Sequence, residues 1–162
     1  MPNQKPIVGA ALLCEKILRE AEGTLSAIRI VDTYTMSVQE LKVNSVIKGD
    51  QPDRVLDVGP GALLDMSALV LLRAGDDVRG EHAVTLRVRN PEGKETEFPG
   101  SYPVRFNKND PAESTQFNIR FMMNANSQPG QYWLEVLWDG EPLTRIPLRL
   151  VKEPESPASA QG

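Results

Sequence analysis

The chain has 162 residues with ordinary globular fractions of hydrophobic and charged residues, 40% and 25%, so it supports one domain with a substantial core. Its only cysteine, Cys14, excludes an intrachain disulfide and favours a reducing compartment. The net charge of −4 argues against a nucleic-acid partner, because such binding draws most of its affinity from basic residues that neutralise phosphates.

The first six residues are predicted to be a flexible N-terminus without the basic-then-apolar pattern of a signal peptide. The longest apolar runs, at 8–13 and 68–72, are far shorter than the ~20 residues that span a bilayer. We therefore expect a cytoplasmic protein with no membrane partner. Residues 7–151 are predicted to form one domain, and 152–162, rich in Pro, Ser, Ala and Glu, a disordered tail.

The ordered part opens with a predicted β-hairpin. Residues 10–18 form one strand, the segment around Gly23 a tight turn, and residues 25–33 the second strand. A helix over residues 10–22 is the alternative, because these residues are good helix formers and Gly23 is a suitable C-cap. Residues 33–36 are expected to extend the second strand.

The middle of the chain has a less regular pattern. Residues 38–47 are ambiguous, and residues 50–61 are predicted to be a loop because they contain Pro52, Gly59, Pro60 and Gly61 without a clear period. The strongly apolar segment 62–73 is typical of a strand that is covered on both faces.

From residue 80 onward, apolar and polar residues alternate in four runs, which predicts strands with one face toward a core. The runs are 84–88, 117–123, 132–138 and 146–150. Residues 90–94 form a Pro-x-Gly turn, and Asp139-Gly140 is a strong signal for a two-residue hairpin. Pro147 cannot donate a ladder hydrogen bond, so we expect it at a sheet edge or a bulge.

One segment near the C-terminus resembles the penultimate strand of immunoglobulin-like domains, namely Gly130-Gln131-Tyr132-Trp133-Leu134-Glu135-Val136. In those domains an early tyrosine packs at a corner and its hydroxyl reaches back to the backbone. Residues 139–143 resemble the turn into the final strand. The resemblance implies an all-β fold, an immunoglobulin-like antiparallel β-sandwich that carries an N-terminal β-hairpin.

A broader resemblance is to a family of small uncharacterised bacterial proteins, a domain of unknown function. It rests on residues 10–15, 23–26, 28–32 and 132–150. The resemblance implies a bacterial origin and supports the strand interpretation of the hairpin. It transfers no functional residues, because the family has no assigned activity.

Catalytic and metal-binding patterns are weak in this sequence. The only histidine, His82, has no neighbouring cysteine and is interpreted as a solvated residue at a strand end. Cys14 lies in an apolar run and is interpreted as a small buried side chain. A zinc site needs several Cys and His ligands, and no EF-hand spacing is present. We therefore predict no enzyme, no metal site and no cofactor.

One surface is predicted to carry the function. If residues 83–89, 132–138 and 143–151 belong to one sheet, their outward side chains form a face rich in residue types that dominate binding hot spots. The face comprises Arg87, Arg89, Trp133, Glu135, Leu137, Arg145 and Arg149. The alternative is that Glu135 sits among cross-strand arginines on an ordinary charged surface and that Trp133 packs under a loop or the N-terminal hairpin.

These patterns predict a non-enzymatic protein-interaction or assembly module whose partner is another protein or a second copy of itself. The alternative function is a small-ligand or anion-binding β-sandwich protein that uses the arginines or a cavity between the sheets. An enzyme with its site in loops 74–80 or 107–111, and a structural component of a larger particle, are further alternatives.

Overall fold

The computed structural model describes residues 4–36, 62–107, 110–125 and 128–152, and it contains no helix within these ranges. The predictions for residues 38–61, for residues 1–3 and for the tail beyond Lys152 lie outside the described part. The strands are β1 (Ile7–Arg19), β2 (Leu25–Ile30), β3 (Thr33–Met36), β4 (Ala62–Arg73), β5 (Gly80–Arg89), β6 (Glu95–Glu97), β7 (Tyr102–Phe106), β8 (Ser114–Ala125), β9 (Gly130–Trp138) and β10 (Glu141–Lys152). The predicted all-β class is confirmed.

The strands form two sheets. The four-stranded sheet has the order β2-β1-β4-β8, and the six-stranded sheet has the order β3-β10-β9-β5-β6, with β7 also paired to β5. The pairing of β3 with β10 is parallel, and the other pairings are antiparallel.

The N-terminal hairpin is present, so residues 10–19 are strand rather than helix. Strand β1 pairs with β2 on one side, where Lys16 faces Ile28, and with β4 on the other, where Leu13 faces Ala68. At the turn, the Gly23 amide donates to the Glu20 carbonyl at 2.9 Å. Pairing on both edges of β1 outweighs the helix propensity of its residues, since propensity is a weak prior against tertiary contacts.

The prediction that residues 33–36 extend the second strand is wrong. Strand β2 ends at Ile30, and β3 joins the other sheet. The chain crosses between the sheets at two residues. The Val31 amide donates to the Leu13 carbonyl of β1, whereas the Asp32 carbonyl accepts from the Arg149 amide of β10, each at 2.8 Å.

The alternating residues of both sheets contribute to one hydrophobic core. Leu13, Val70, Leu86, Val136 and Leu148 are among its buried members. Burial of one such side chain stabilises a fold by about 1.5–3 kcal/mol. This core fixes which side of each strand faces inward, so the remaining side chains of β5, β9 and β10 lie on the opposite face.

Two predicted features of the final hairpin are present. Asp139 and Gly140 both have positive φ angles, 49° and 83°, as a two-residue type I′ turn requires. Pro147 pairs with Trp133 on β9, while β3 pairs with β10 only from Arg149 onward. The other side of Pro147 therefore has no neighbouring strand among the described residues, as expected for an edge position.

Candidate interaction surface

Strands β10, β9 and β5 lie side by side, so the condition for the predicted face is met. Arg145 stands opposite Glu135, which stands opposite Arg87 on β5. In the next row, Trp133 lies between Pro147 and Arg89. Directly opposed residues share a face of a sheet, so these side chains lie together on the side away from the core, here called the outer face.

A network of ion pairs occupies one part of the outer face. Glu135 accepts from Nε of Arg87 and lies 3.0 Å from Nη2 of Arg89. Glu95 of β6 pairs with the same two arginines at 2.9 and 2.7 Å. The side chains of Glu135 and Arg87 are only 9% and 19% exposed, so this is not an ordinary solvated surface.

The network has an electrostatic consequence. The hydrogen bond to Glu135 raises the pKa of Arg87 above its usual value despite partial desolvation, and the charges of Glu135 and Glu95 act in the same direction. Arg87 therefore stays charged and is held in place. Its N–H donors bind Glu95 and Glu135 within the protein instead of a partner.

Trp133 and Arg145 form a second feature of the outer face. The Arg145 guanidinium carbon lies 4.4 Å from the centroid of the Trp133 ring, within the range of a cation–π contact. Trp133 is half-buried and Arg145 is exposed. Within the described ranges Arg145 forms no ion pair, although Glu135 stands opposite it in the ladder.

Arg149 and Leu137 lie at opposite ends of the predicted set. Arg149 is exposed and stands opposite Gln131, and it too forms no ion pair in the described part of the chain. Leu137 was expected to be exposed, but it is only 4% exposed and lies outside the cluster that fills the core. Thr85 and Pro142 stand opposite it on the two neighbouring strands, and at this low exposure Leu137 offers no surface to a partner.

A shallow groove of about 450 Å³ crosses the outer face. Its apolar wall comes from β10, and its charged wall from the ion-pair network. The residues that line it are Arg87, Arg89, Glu135, Pro142, Leu143, Thr144 and Arg145.

The sequence prediction missed the acidic residues that complete the network. Glu97 and Glu95 stand directly opposite Arg87 and Arg89 on β6. A usable signal was present, because an acidic-x-acidic triplet follows the predicted turn at 90–94 just as an Arg-x-Arg triplet precedes it. A hairpin across that turn aligns the opposite charges.

His82 belongs to a second polar cluster, and the prediction that it is solvated is wrong. Its Nδ1 lies 2.7 Å from Oδ2 of Asp139, its Nε2 lies 3.0 Å from the Arg79 carbonyl oxygen, and its ring stacks on Trp138 at 4.4 Å. The Ala83 amide donates to the other Asp139 oxygen at 2.9 Å. Tertiary packing against Trp138 partly buries the imidazole, whose side chain is 16% exposed.

This cluster holds the Asp139-Gly140 turn against β5. Partial burial acts to raise the pKa of Asp139, but the hydrogen bonds from His82 and the Ala83 amide outweigh it and lower that pKa below the usual 3.8. Both ring nitrogens of His82 face acceptors, so neither is placed to activate a nucleophile. The arrangement therefore favours a structural role for His82.

Cys14 is buried, as predicted, and burial raises the pKa of its thiol. The thiol contacts the Ser67 carbonyl oxygen at 3.6 Å. A thiol with a raised pKa is a poor nucleophile, because the thiolate is the reactive form.

Among the described residues, no three His, Cys, Asp or Glu side chains cluster closely enough to hold a metal ion. In those same ranges, no helix has the length and apolar character needed to cross a membrane.

Comparison with known proteins gives one family match. The model of a family described as Family of unknown function (DUF6941) matches residues 59–151, more than half of the chain. No curated protein matches the chain. Among solved structures, the chain is similar to the Pseudomonas fluorescens alkylpurine DNA glycosylase AlkC bound to DNA containing an abasic site analog, at 16% identity and a TM-score of 0.37. That similarity covers 61% of this chain and 28% of the glycosylase, and at this TM-score it supports no conclusion about fold or function.

Proposed function

Because the chain belongs to DUF6941, a family of unknown function, we propose a function from its own geometry: it is a non-enzymatic protein-interaction or assembly module that binds through the outer face. The observation that carries the proposal is the exposed Arg145 guanidinium over the half-buried Trp133 ring. This pair lies beside the network in which Glu95 and Glu135 fix Arg87 and Arg89. Trp and Arg are the residue types most enriched at binding hot spots.

Preorganisation supports this proposal. Association has to overcome the entropy of ordering side chains at the interface, about 0.5–1.5 kcal/mol for each flexible side chain that is immobilised. Arg87 and Arg89 are already held by Glu95 and Glu135, and Arg145 is held by Trp133. A partner that docks here therefore loses less free energy to ordering than it would on an unstructured charged surface.

We also propose that the two sheets form an immunoglobulin-like sandwich. Two features support this architecture. Strands β1, β4 and β8 are neighbours in one sheet and β5, β9 and β10 in the other, matching the A-B-E and C-F-G neighbours of such domains. The Tyr132 hydroxyl donates to the Gln128 carbonyl at 3.1 Å, the geometry of a tyrosine corner.

The proposed setting is the bacterial cytoplasm. The unpaired, buried Cys14 supports a reducing compartment, and the sequence resemblance described above supports a bacterial origin.

The groove beside Arg145 favours a second candidate, a small-ligand or anion binder. The arginines Arg87 and Arg89 on its charged wall already pair with Glu135 and Glu95, which reduces their attraction for an added anion. A flat protein interface contacts both Trp133 and Arg145, whereas a ligand in the groove contacts only Arg145 of these two.

The test compares variants of the outer face with a matched variant on the other sheet. The chain is used as bait in a bacterial lysate as wild type, Trp133→Ala, Arg145→Glu and the control Arg19→Glu, an exposed residue of β1. Quantitative mass spectrometry scores the captured proteins, light scattering measures self-association, and circular dichroism verifies folding.

We expect one partner, or the self-associated form, to be lost with Trp133→Ala and Arg145→Glu and retained with Arg19→Glu. Equal association of all four folded proteins contradicts the proposed function. Saturable binding of inorganic phosphate or a dicarboxylate that requires Arg145, without any change in protein association, favours the ligand-binding alternative.

A further inference from the structure

The arginines of the outer face divide into two groups by their partners. Arg87 and Arg89 each contact both Glu95 and Glu135, so their charges are largely balanced within the fold. Arg145 and Arg149 are exposed and form no ion pair in the described ranges. The positive charge available to a partner therefore lies along β10, not on β5.

The spacing of these two arginines defines the shape of a partner. Their Cα atoms lie four residues apart on β10, which corresponds to ~13 Å at about 3.3 Å per residue, and their side chains share one face. Exposed Pro147 lies between them and pairs with Trp133 on β9, whose ring contacts the Arg145 guanidinium. The result is a stripe that begins and ends on an arginine and has an apolar middle, toward which the Arg145 guanidinium leans at the Trp133 ring.

An extended peptide has the same repeat as the stripe. Its residues i, i+2 and i+4 point to one side, so an acidic-x-apolar-x-acidic segment places two carboxylates ~13 Å apart around an apolar side chain. Arginine binds carboxylates through a rigid fork of N–H donors, which gives this pairing geometric specificity.

Charge on the rest of the outer face favours isolated carboxylates over a nucleic-acid backbone. Glu95, Glu97 and Glu135 lie beside the arginines, and the whole chain has a net charge of −4. Double-stranded DNA carries one charge per ~1.7 Å of its axis, so its phosphates cannot avoid these glutamates. Two separate carboxylates meet the stripe at two points only, and Glu135, which stands opposite Arg145, is already paired with Arg87 and Arg89.

We propose that the partner of the outer face presents an extended acidic segment whose two carboxylates pair with Arg145 and Arg149 and whose central apolar side chain packs on Pro147 and Trp133. This inference rests on the proposed function, because it specifies the chemistry of the partner that this face binds.

The test uses synthetic fluorescent peptides and fluorescence anisotropy. The probe repeats Glu-Thr-Val-Thr, the matched control repeats Lys-Thr-Val-Thr, and a single-stranded DNA of equal length tests phosphate recognition. The proteins are wild type, Arg145→Glu, Arg149→Glu, the double variant and the control Arg19→Glu.

The acidic peptide is expected to bind wild type and Arg19→Glu equally, and each outer-face variant to weaken binding about five-fold or more. The Lys peptide is expected to bind the double variant better than it binds wild type. Salt is expected to weaken all of these complexes, since the contacts are exposed.

Absence of acidic-peptide binding, equal binding to Arg145→Glu and Arg19→Glu, or a preference for DNA overturns the inference. The proposed function is judged separately by the lysate experiment. A partner that is lost with Trp133→Ala while the acidic peptide fails to bind overturns the partner chemistry alone. Retention of every partner by the outer-face variants overturns the proposed function.

Discussion

Replacement of Arg87 by methionine is expected to destabilise the fold far more than replacement of an exposed arginine. Methionine retains much of the aliphatic stem and removes the guanidinium that contacts Glu135 and Glu95. The carboxylate of Glu135, only 9% exposed, then keeps a single cationic partner, Arg89, at 3.0 Å.

The magnitude follows from this burial. Removal of one partner from a buried ion pair costs about 3–5 kcal/mol, mainly because it leaves an uncompensated charge. Arg89 still compensates part of the charge of Glu135, so we expect about 2 kcal/mol for Arg87→Met, or about 4–8 °C in Tm at this chain length. Glu135→Gln is expected to cost about 1.5 kcal/mol, and the double variant about 2 kcal/mol in total, a coupling of about 1.5 kcal/mol.

Urea unfolding of the four proteins measures this cycle, with unchanged m-values as the check that only stability has changed. The control is Arg105→Met, which removes an ion pair with Glu81 whose side chains are 65% and 78% exposed. Its expected cost is below about 0.5 kcal/mol. Equal losses for Arg87→Met and Arg105→Met, or a coupling under about 0.3 kcal/mol, would refute the conclusion that burial makes the network stabilising.

Three further changes probe the turns around the six-stranded sheet. Tyr132→Phe removes the hydrogen bond to the Gln128 carbonyl and is expected to cost about 1 kcal/mol in urea unfolding; a neutral result would argue against a stabilising tyrosine corner. Gly140→Ala places a side chain on a residue with φ of 83° and is expected to lower the free energy of unfolding by about 1 kcal/mol. Unchanged stability would contradict the positive φ that a type I′ turn requires at this position. The pKa of Asp139 is lower in the fold than its usual 3.8, so its carboxylate stabilises the fold above about pH 4 and loses this contribution as the pH falls. The free energy of unfolding of wild type should therefore decrease more than that of Asp139→Asn between about pH 5 and pH 3, and parallel profiles would contradict the role of the bond to His82.

The strands of the C-terminal half were predictable because a two-residue period determines which side chains share a face. Leu86, Val136 and Leu148 face the core, as their alternation indicates. The same rule placed Arg87 and Trp133 on the outer face once their strands were assigned to one sheet. The Asp139-Gly140 hairpin was predictable for a different reason, since few residue pairs tolerate two successive positive φ angles.

Three features depended on contacts that no local pattern records. The separation of β3 from β2 depends on a parallel pairing with β10, more than a hundred residues later in the chain. The burial of His82 depends on its stacking on Trp138 and its bonds to Asp139. Leu137 has the alternation of an outward residue but is nevertheless buried.

The sequence alone determined the all-β class, the terminal hairpin turn and the division of side chains between inner and outer faces, because these follow from backbone geometry over a few residues. Only the tertiary structure decided which arginines remain available to a partner. Arg87 and Arg145 are equivalent in the alternating pattern, yet the first is held by Glu95 and Glu135 and the second lies exposed over Trp133. The difference arises because charge neutralisation requires side-chain N and O atoms on neighbouring strands to approach within about 3 Å, and the order of residues along one strand does not specify which strands are neighbours.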